Sequence, residues 1–385
     1  MKIRFAYQAA GLFNLWQLKE CKAWWKEGWL DESQYRAIST VYSSPFYHPN
    51  VMIRLLLFFA TLFALSGVTG FVALVFDDLP EDFIFFGCVL YGLASWVVVE
   101  KLFIARHHYK SGVNEALIYH GCGFCIGGMA GIFDGNEHIL LLSATVVFVW
   151  AAFRYLDVVC TICAAAAWAG FLFYELYTIV ALRTFIPLIF LIAFTPVYWL
   201  CRRAKLREGL AAWHTQFVWL ETLSLLVMYA AGNYLVIRML SEHLLDLQLE
   251  AGQDIPLAPV FYFTTVAIPV LYLYFGIRRK DVVLLRVSLL VIAFSVFTFK
   301  YYFSLGHPEI TLTVAGAFVL LITFGLLRYL KTMRHGYTRE ALRSSRWAAL
   351  HAEALVISQT LGGTHAPGKN FGGGTSGGGG AQTSF

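Results

Sequence analysis

From residue 51 onward, long apolar runs alternate with short polar breaks. Each run is close to the roughly 20 residues an α-helix needs to cross the hydrocarbon of a bilayer. Ten such runs stand at 51–76, 83–105, 113–133, 136–154, 157–178, 180–201, 215–240, 257–277, 281–303 and 309–330. The pattern predicts an all-α fold, a polytopic transmembrane bundle of about ten spans. The first fifty residues differ. They are mixed polar and aromatic, with Trp16, Trp24, Trp25 and Trp29, and they read as a cytoplasmic helical preface. Asp31 followed by Gln34 predicts a capping box that opens a helix running to Tyr42. The preface has no basic head followed by a short apolar core, so the first apolar run is expected to act as an uncleaved signal-anchor.

Beyond the bundle (51–330), residues 331–361 form a basic amphipathic stretch. There Arg339, Arg343 and Arg346 stand beside Leu342, Trp347, Leu350 and Leu355. Such a helix suits anionic lipid headgroups or packing on the amino-terminal helices. Residues 362–385 are rich in glycine and end on Phe385. Glycine has no side chain to bury, so this tail is expected to be flexible or to dock weakly through its aromatic ends.

Composition supports the membrane reading. Of 385 residues 58% are apolar and only 14% are charged, against about 25% charged in soluble domains. A soluble fold could not cover its surface with so few polar groups. The charges also orient the bundle. With the amino terminus inside, every Lys and Arg except Arg183, Arg238 and Lys300 falls on the inner side, while the acidic residues divide evenly. Lys and Arg near helix ends stay on the cytoplasmic face. An even number of spans then puts both basic termini in the cytoplasm. Adding or dropping one helix would move Arg202–Arg207 or Arg278–Lys280 to the wrong side.

A weak repeat links two inner turns: Arg154-Tyr-Leu-Asp157-Val-Val and Arg278-Arg-Lys-Asp281-Val-Val. Aspartate suits the start of the outgoing helix, where it caps free N–H groups and meets the positive end of the dipole. Convergence on good turn chemistry and duplication of a hairpin explain the repeat equally well.

Ionisable groups inside apolar runs are the candidate functional residues, because a charge at the bilayer centre costs on the order of 2.5–3.5 kcal/mol. Most such residues sit near predicted helix ends. Glu115, His120, Glu221 and Asn233 are the best candidates for an interior polar site, with interhelical hydrogen bonding as the plainer role. Pro187, Pro196 and Pro269 interrupt two runs, and such kinks expose carbonyls that can bind ions. Gly123, Gly127 and Gly131 at four-residue spacing predict close helix packing on the third run. The small residues of the fifth run, Cys160 to Gly170, do the same, and these two helices are expected at the bundle centre. Two C-x-x-C pairs, Cys122 with Cys125 and Cys160 with Cys163, supply four thiols that could ligate zinc or an iron–sulfur cluster. Their glycine and alanine neighbours suit plain packing equally well. No catalytic residue, cofactor or nucleic-acid module is expected: there is no phosphate-binding glycine loop, metalloprotease motif or nucleophile elbow.

The stretch Trp25-Lys-Glu-Gly28-Trp29-Leu30-Asp31-Glu-Ser-Gln34-Tyr35-Arg-Ala37-Ile38, followed by many apolar helices, resembles a group of bacterial polytopic membrane proteins. That group is known only as a domain of unknown function of the 2157 type. The glycine-rich tail with its final aromatic is similar to tails of membrane-anchored proteins of the TPM group, whose catalytic domain is not in this sequence. These resemblances imply a protein of the bacterial inner membrane and supply no catalytic residues. The expected function is a permease-like transporter for a small solute, ion or lipid. The alternative is a scaffold that recruits partners, or a second copy, through its cytoplasmic termini.

Overall fold

The computed structural model describes residues 5–26, 28–47, 49–75, 79–243 and 254–302, with isolated positions between 313 and 328. Most of the predicted run 309–330, and all of 331–361 and 362–385, lie outside the described residues. Among the described residues there are twelve α-helices: α1 (Ala9–Lys26), α2 (Glu32–Val41), α3 (Val51–Val75), α4 (Glu81–Val98), α5 (Val113–Ile132), α6 (Glu137–Tyr155), α7 (Val158–Thr178), α8 (Ile186–Ala204), α9 (His214–Gly232), α10 (Tyr234–His243), α11 (Ala258–Arg279) and α12 (Val282–Tyr302). No strand occurs among the described residues, only an isolated bridge between Tyr47 and His108.

Among the described residues, seven helices are long and apolar enough to cross a membrane: α3, α4 with its extension to Arg106, α6, α7, α8 with its lead from Val180, α11 and α12. The bent pair α9–α10 adds an eighth if it is one span. α5 falls outside this group because its glycines, Glu115 and His120 lower its hydropathy. The exterior is oily. α3 has no buried residue, and Phe63 and Leu74 on it are more than 80% exposed. An apolar surface of this extent is one that water would not tolerate.

The preface folds as foreseen. Asp31 caps α2 by accepting from the Gln34 N–H at 2.8 Å, and the Gln34 side chain accepts from the Asp31 N–H at 3.1 Å. The helix ends at Tyr42. Residues 10–44 form a compact unit separate from the long helices. Cys21, Trp24, Leu30 and Ile38 make its core, and Trp25 stacks on Tyr35.

Within the bundle, α5 is the most enclosed helix. It packs tightly on α4 through small residues, though not in the predicted register. An added Cβ at Gly121 would meet Trp96 Nε1 at 2.4 Å, and one at Gly128 would meet the Phe85 carbonyl at 2.7 Å. Gly131 lies against the Phe85 ring. A Cβ at Gly123 or Gly127 would meet nothing within 4 Å. Those two therefore do not make the close contact expected of them. Positions 121, 125, 128 and 131 share one helical face, and 123 and 127 point elsewhere. Gly112, just before α5, has φ +92° and presses on the α3 backbone at Arg54, so no other residue fits there. The second enclosed helix is α9 and not α7, whose buried residues are mostly confined to its first two turns.

The prolines do not interrupt their helices: α8 and α11 run on through Pro196 and Pro269. Pro187 sits in the first turn of α8, where its missing N–H costs nothing. The predicted run 215–240 is two helices, α9 and α10, bent by 69° at Asn233.

The two copies of the repeat adopt one geometry. Leu156 and Lys280 end their helices in the left-handed region, at φ 54° and 52°, and the next residue is the aspartate. Asp157 accepts from the Cys160 N–H at 2.8 Å, and Asp281 from the Val283 N–H at 3.0 Å.

Candidate functional site

The four interior candidates occupy separate places. Glu115 lies in the first turn of α5. One carboxylate oxygen accepts from the Gly112 N–H at 2.8 Å and the other from Arg54 Nη2 at 2.7 Å. It closes a helix end and ties α5 to α3, so both lone-pair sets are spent on structure.

His120, further along α5, shares a hydrogen bond of 3.0 Å between its Nδ1 and Ser95 Oγ of α4. Its Nε2 is buried and has no partner. The rings of Tyr91 and Phe124 flank it. The face that turns Gly121 and Gly128 to α4 brings the imidazole to this wall.

Glu221 of α9 is 0% exposed. One of its oxygens accepts from Lys205 Nζ, at the end of α8. Its other oxygen, Oε1, has no donor. Lys205 Nζ also lies 3.9 Å from Asp281 Oδ2, and Arg202 reaches the same oxygen at 3.0 Å. Arg202 donates a second bond to the Tyr198 hydroxyl at 2.7 Å. Three helices, α8, α9 and α12, thus meet in one buried network of two cations and two carboxylates. Such a network is costly to dehydrate and fails badly if one member is removed.

Asn233 marks the break between α9 and α10 and is also 0% exposed. Its Nδ2 donates to the Tyr229 hydroxyl at 2.9 Å and to Thr298 Oγ1 at 3.0 Å, and its Oδ1 accepts from the Val236 N–H at 3.2 Å. Hydroxyls of α11 complete the broken ladder. Thr264 donates to the Gly232 carbonyl at 2.6 Å, and Thr265 Oγ1 accepts from the Tyr234 N–H at 2.9 Å. A helix can be interrupted in an apolar setting when neighbours satisfy the freed backbone groups in this way.

The cysteines do not assemble a metal set. Among the described residues, no three His, Cys, Asp or Glu side chains converge as a metal's ligands would. Cys122 meets Cys160 across α5 and α7, while Cys125 points to α4 and donates to the Val89 carbonyl at 3.8 Å. Both cysteines of the first pair are spent on different neighbours.

Sequence reasoning passed over the partners. Arg202 and Lys205 read as topology signals and Asp281 as a helix cap, yet all three join the network around Glu221. Tyr7 gave no periodic signal. It is buried against Tyr109 and Phe46, while Ala6 N–H donates to the Arg154 carbonyl at 2.9 Å. Burial pushes the Tyr109 phenol up to about 12 and the Tyr7 phenol further above its usual range. Several of the ion pairs gather at one end of the bundle, while His138–Glu175 and Arg238–Glu242 lie away from it. The Arg202–Asp281 pair joins the end of α8 to the α11–α12 corner, and Trp213, before α9, donates to the Phe153 carbonyl at 2.8 Å. Arg154 pairs with Glu100 at 2.8 Å at the same end. A π-helical turn over Val99–Phe103 carries Glu100, and such bulges often redirect a side chain at a working position. Comparison with known proteins adds no relative: no family model matches the chain, and no curated protein or solved structure is significantly similar to it.

Proposed function

We propose that this chain is a multi-pass membrane protein of the permease type, moving a small solute, ion or lipid, with α9 lining the path. One observation carries the reading. α9 holds a fully buried carboxylate near its middle, Glu221, and ends at a break marked by a fully buried amide, Asn233. The two lie roughly 18 Å apart along the helix at about 1.5 Å per residue. Polar groups inside a membrane helix mark substrate or ion pathways by default, and broken helices recur where solutes bind at mid-membrane.

Ten spans with both termini in the cytoplasm of a bacterial inner membrane is the topology that accompanies this reading. The bias of Lys and Arg supports it, as does the meeting of the Arg202–Arg207 turn with the Arg278–Lys280 turn at one end. Scaffolding through the termini is the second reading. The compact α1–α2 unit, with Trp29 67% exposed, favours it.

Cysteine accessibility separates the two. In a variant lacking the seven native cysteines, Ser224→Cys and Thr298→Cys place thiols on the interior of the proposed path, and Glu137→Cys and Arg207→Cys serve as exposed controls. A permease predicts that a membrane-impermeant thiol reagent modifies the two interior thiols in sealed vesicles. A scaffold predicts that only the control on the treated side reacts, Glu137→Cys from outside or Arg207→Cys from inside.

A further inference from the structure

We propose that Glu221 is a proton-binding site, so that the proton is the coupling ion of the permease reading, on which this inference rests. The case lies in the unequal surroundings of two carboxylates that share one ammonium. Asp281 opens α12 and accepts from the Val283 N–H at 3.0 Å and the Leu284 N–H at 3.4 Å. It also faces Arg202 at 3.0 Å and Lys205 at 3.9 Å. Backbone donors, the positive end of the α12 dipole and a guanidinium all hold its negative charge in place. Glu221 has Lys205 alone. Its Oε1 is buried without any donor, and a bare charged oxygen out of water is costly to keep. When two carboxyl groups differ this much in what solvates their charge, the poorer site is the one that takes the proton.

The geometry supplies a course for the exchange. A proton arriving from the polar end binds Oε1, and the attraction of Glu221 for Lys205 falls. Lys205 Nζ then moves to Asp281 Oδ2, already within 3.9 Å. No cation is stranded and no bond other than the new O–H is made. The tie between α8 and α9 is released, and the tie between α8 and α12 tightens. Loss of the proton reverses each step. The titratable and charged groups facing Glu221 are Tyr198, Cys201, Arg202 and Lys205 of α8 and Asp281 of α12. Tyr272 of α11 faces Tyr198 and donates to the Leu225 carbonyl at 3.1 Å. α9 is also the helix that breaks at Asn233, so releasing it at Glu221 acts on the segment that leads into the bend.

The test is infrared difference spectroscopy on the full chain in lipid nanodiscs, titrated from mildly acidic to alkaline pH. A protonated carboxyl C=O band that titrates in the wild type is expected to vanish in Glu221→Gln and to persist in Asp281→Asn. Glu221→Asp keeps a carboxyl and is expected to retain the band at a shifted midpoint, which separates loss of the site from loss of the fold. The proposal is overturned if no carboxyl band titrates in the wild type, if Glu221→Gln keeps the band, or if Asp281→Asn alone removes it. The thiol-labelling result is independent. An intact Glu221 band with unreactive interior thiols ends the transport reading and leaves the proton site standing.

Discussion

Arg202 and Asp281 meet at 3.0 Å and join two turns that lie about eighty residues apart in the chain. The pair fastens the end of α8 to the corner between α11 and α12, and Lys205 extends it to α9.

Removing the shared carboxylate therefore leaves the half-buried Arg202 without an ion-pair partner and Lys205 with Glu221 alone. Asp281→Ala is expected to lower stability by roughly 3–5 kcal/mol, the usual result of breaking a buried pair from one side. Asp281→Asn keeps an oxygen for the α12 amides and is expected to lose less. Thermal unfolding in one detergent, followed by tryptophan fluorescence, ranks the two variants. Equal losses would mean that the charge, and not the cap, matters.

Asn233 holds the α9–α10 break through Tyr229, Thr298 and the Val236 amide. Asn233→Ala is expected to cost on the order of 2 kcal/mol, from a lost cap and buried groups left without partners. Amide exchange in the first turn of α10 is expected to speed up more than exchange in α12. Uniform acceleration across the bundle would count against a local role for the side chain.

The glycines of α5 make a paired test. Gly121→Ala drives a methyl toward Trp96 and is expected to cost roughly 1–3 kcal/mol as overpacking. Gly123→Ala meets open space and is expected to be neutral, or stabilising by up to about 1 kcal/mol from helix propensity. A larger loss at 123 than at 121 would show that the α4–α5 register is wrong.

At the other end of the chain, Asp31→Ala is expected to weaken α2 by about 1 kcal/mol. Hydrogen bonds from the Ser33 hydroxyl and the Gln34 N–H hold the Asp31 carboxyl below its ordinary value. A depressed carboxyl contributes stability above its ordinary value and loses it as pH falls through the folded one. Amide exchange in α2 of the full chain is thus expected to rise on acidification, and to be flat over the same range in Asp31→Ala. The carboxyl is almost fully exposed, so the effect is small.

The pattern of apolar runs determined much of this protein. It predicted nine of the helical regions now described, from α3 to α12, and the Asp31–Gln34 box with the α2 helix behind it. Those features are local: a run of side chains that water rejects, and a cap three residues from its donor. Tertiary structure decided the rest. Spacing alone could not say which face of α5 meets α4, so Gly123 and Gly127 were expected where Gly121 and Gly128 stand. Nor could it say that the run 215–240 breaks at Asn233, because the hydroxyls that make the break tolerable come from α11 and α12. Lys205 and Asp281 look like solvated turn residues until distant helices enclose them. Burial of charge is a property of the assembled neighbours, and no window along a single run contains them.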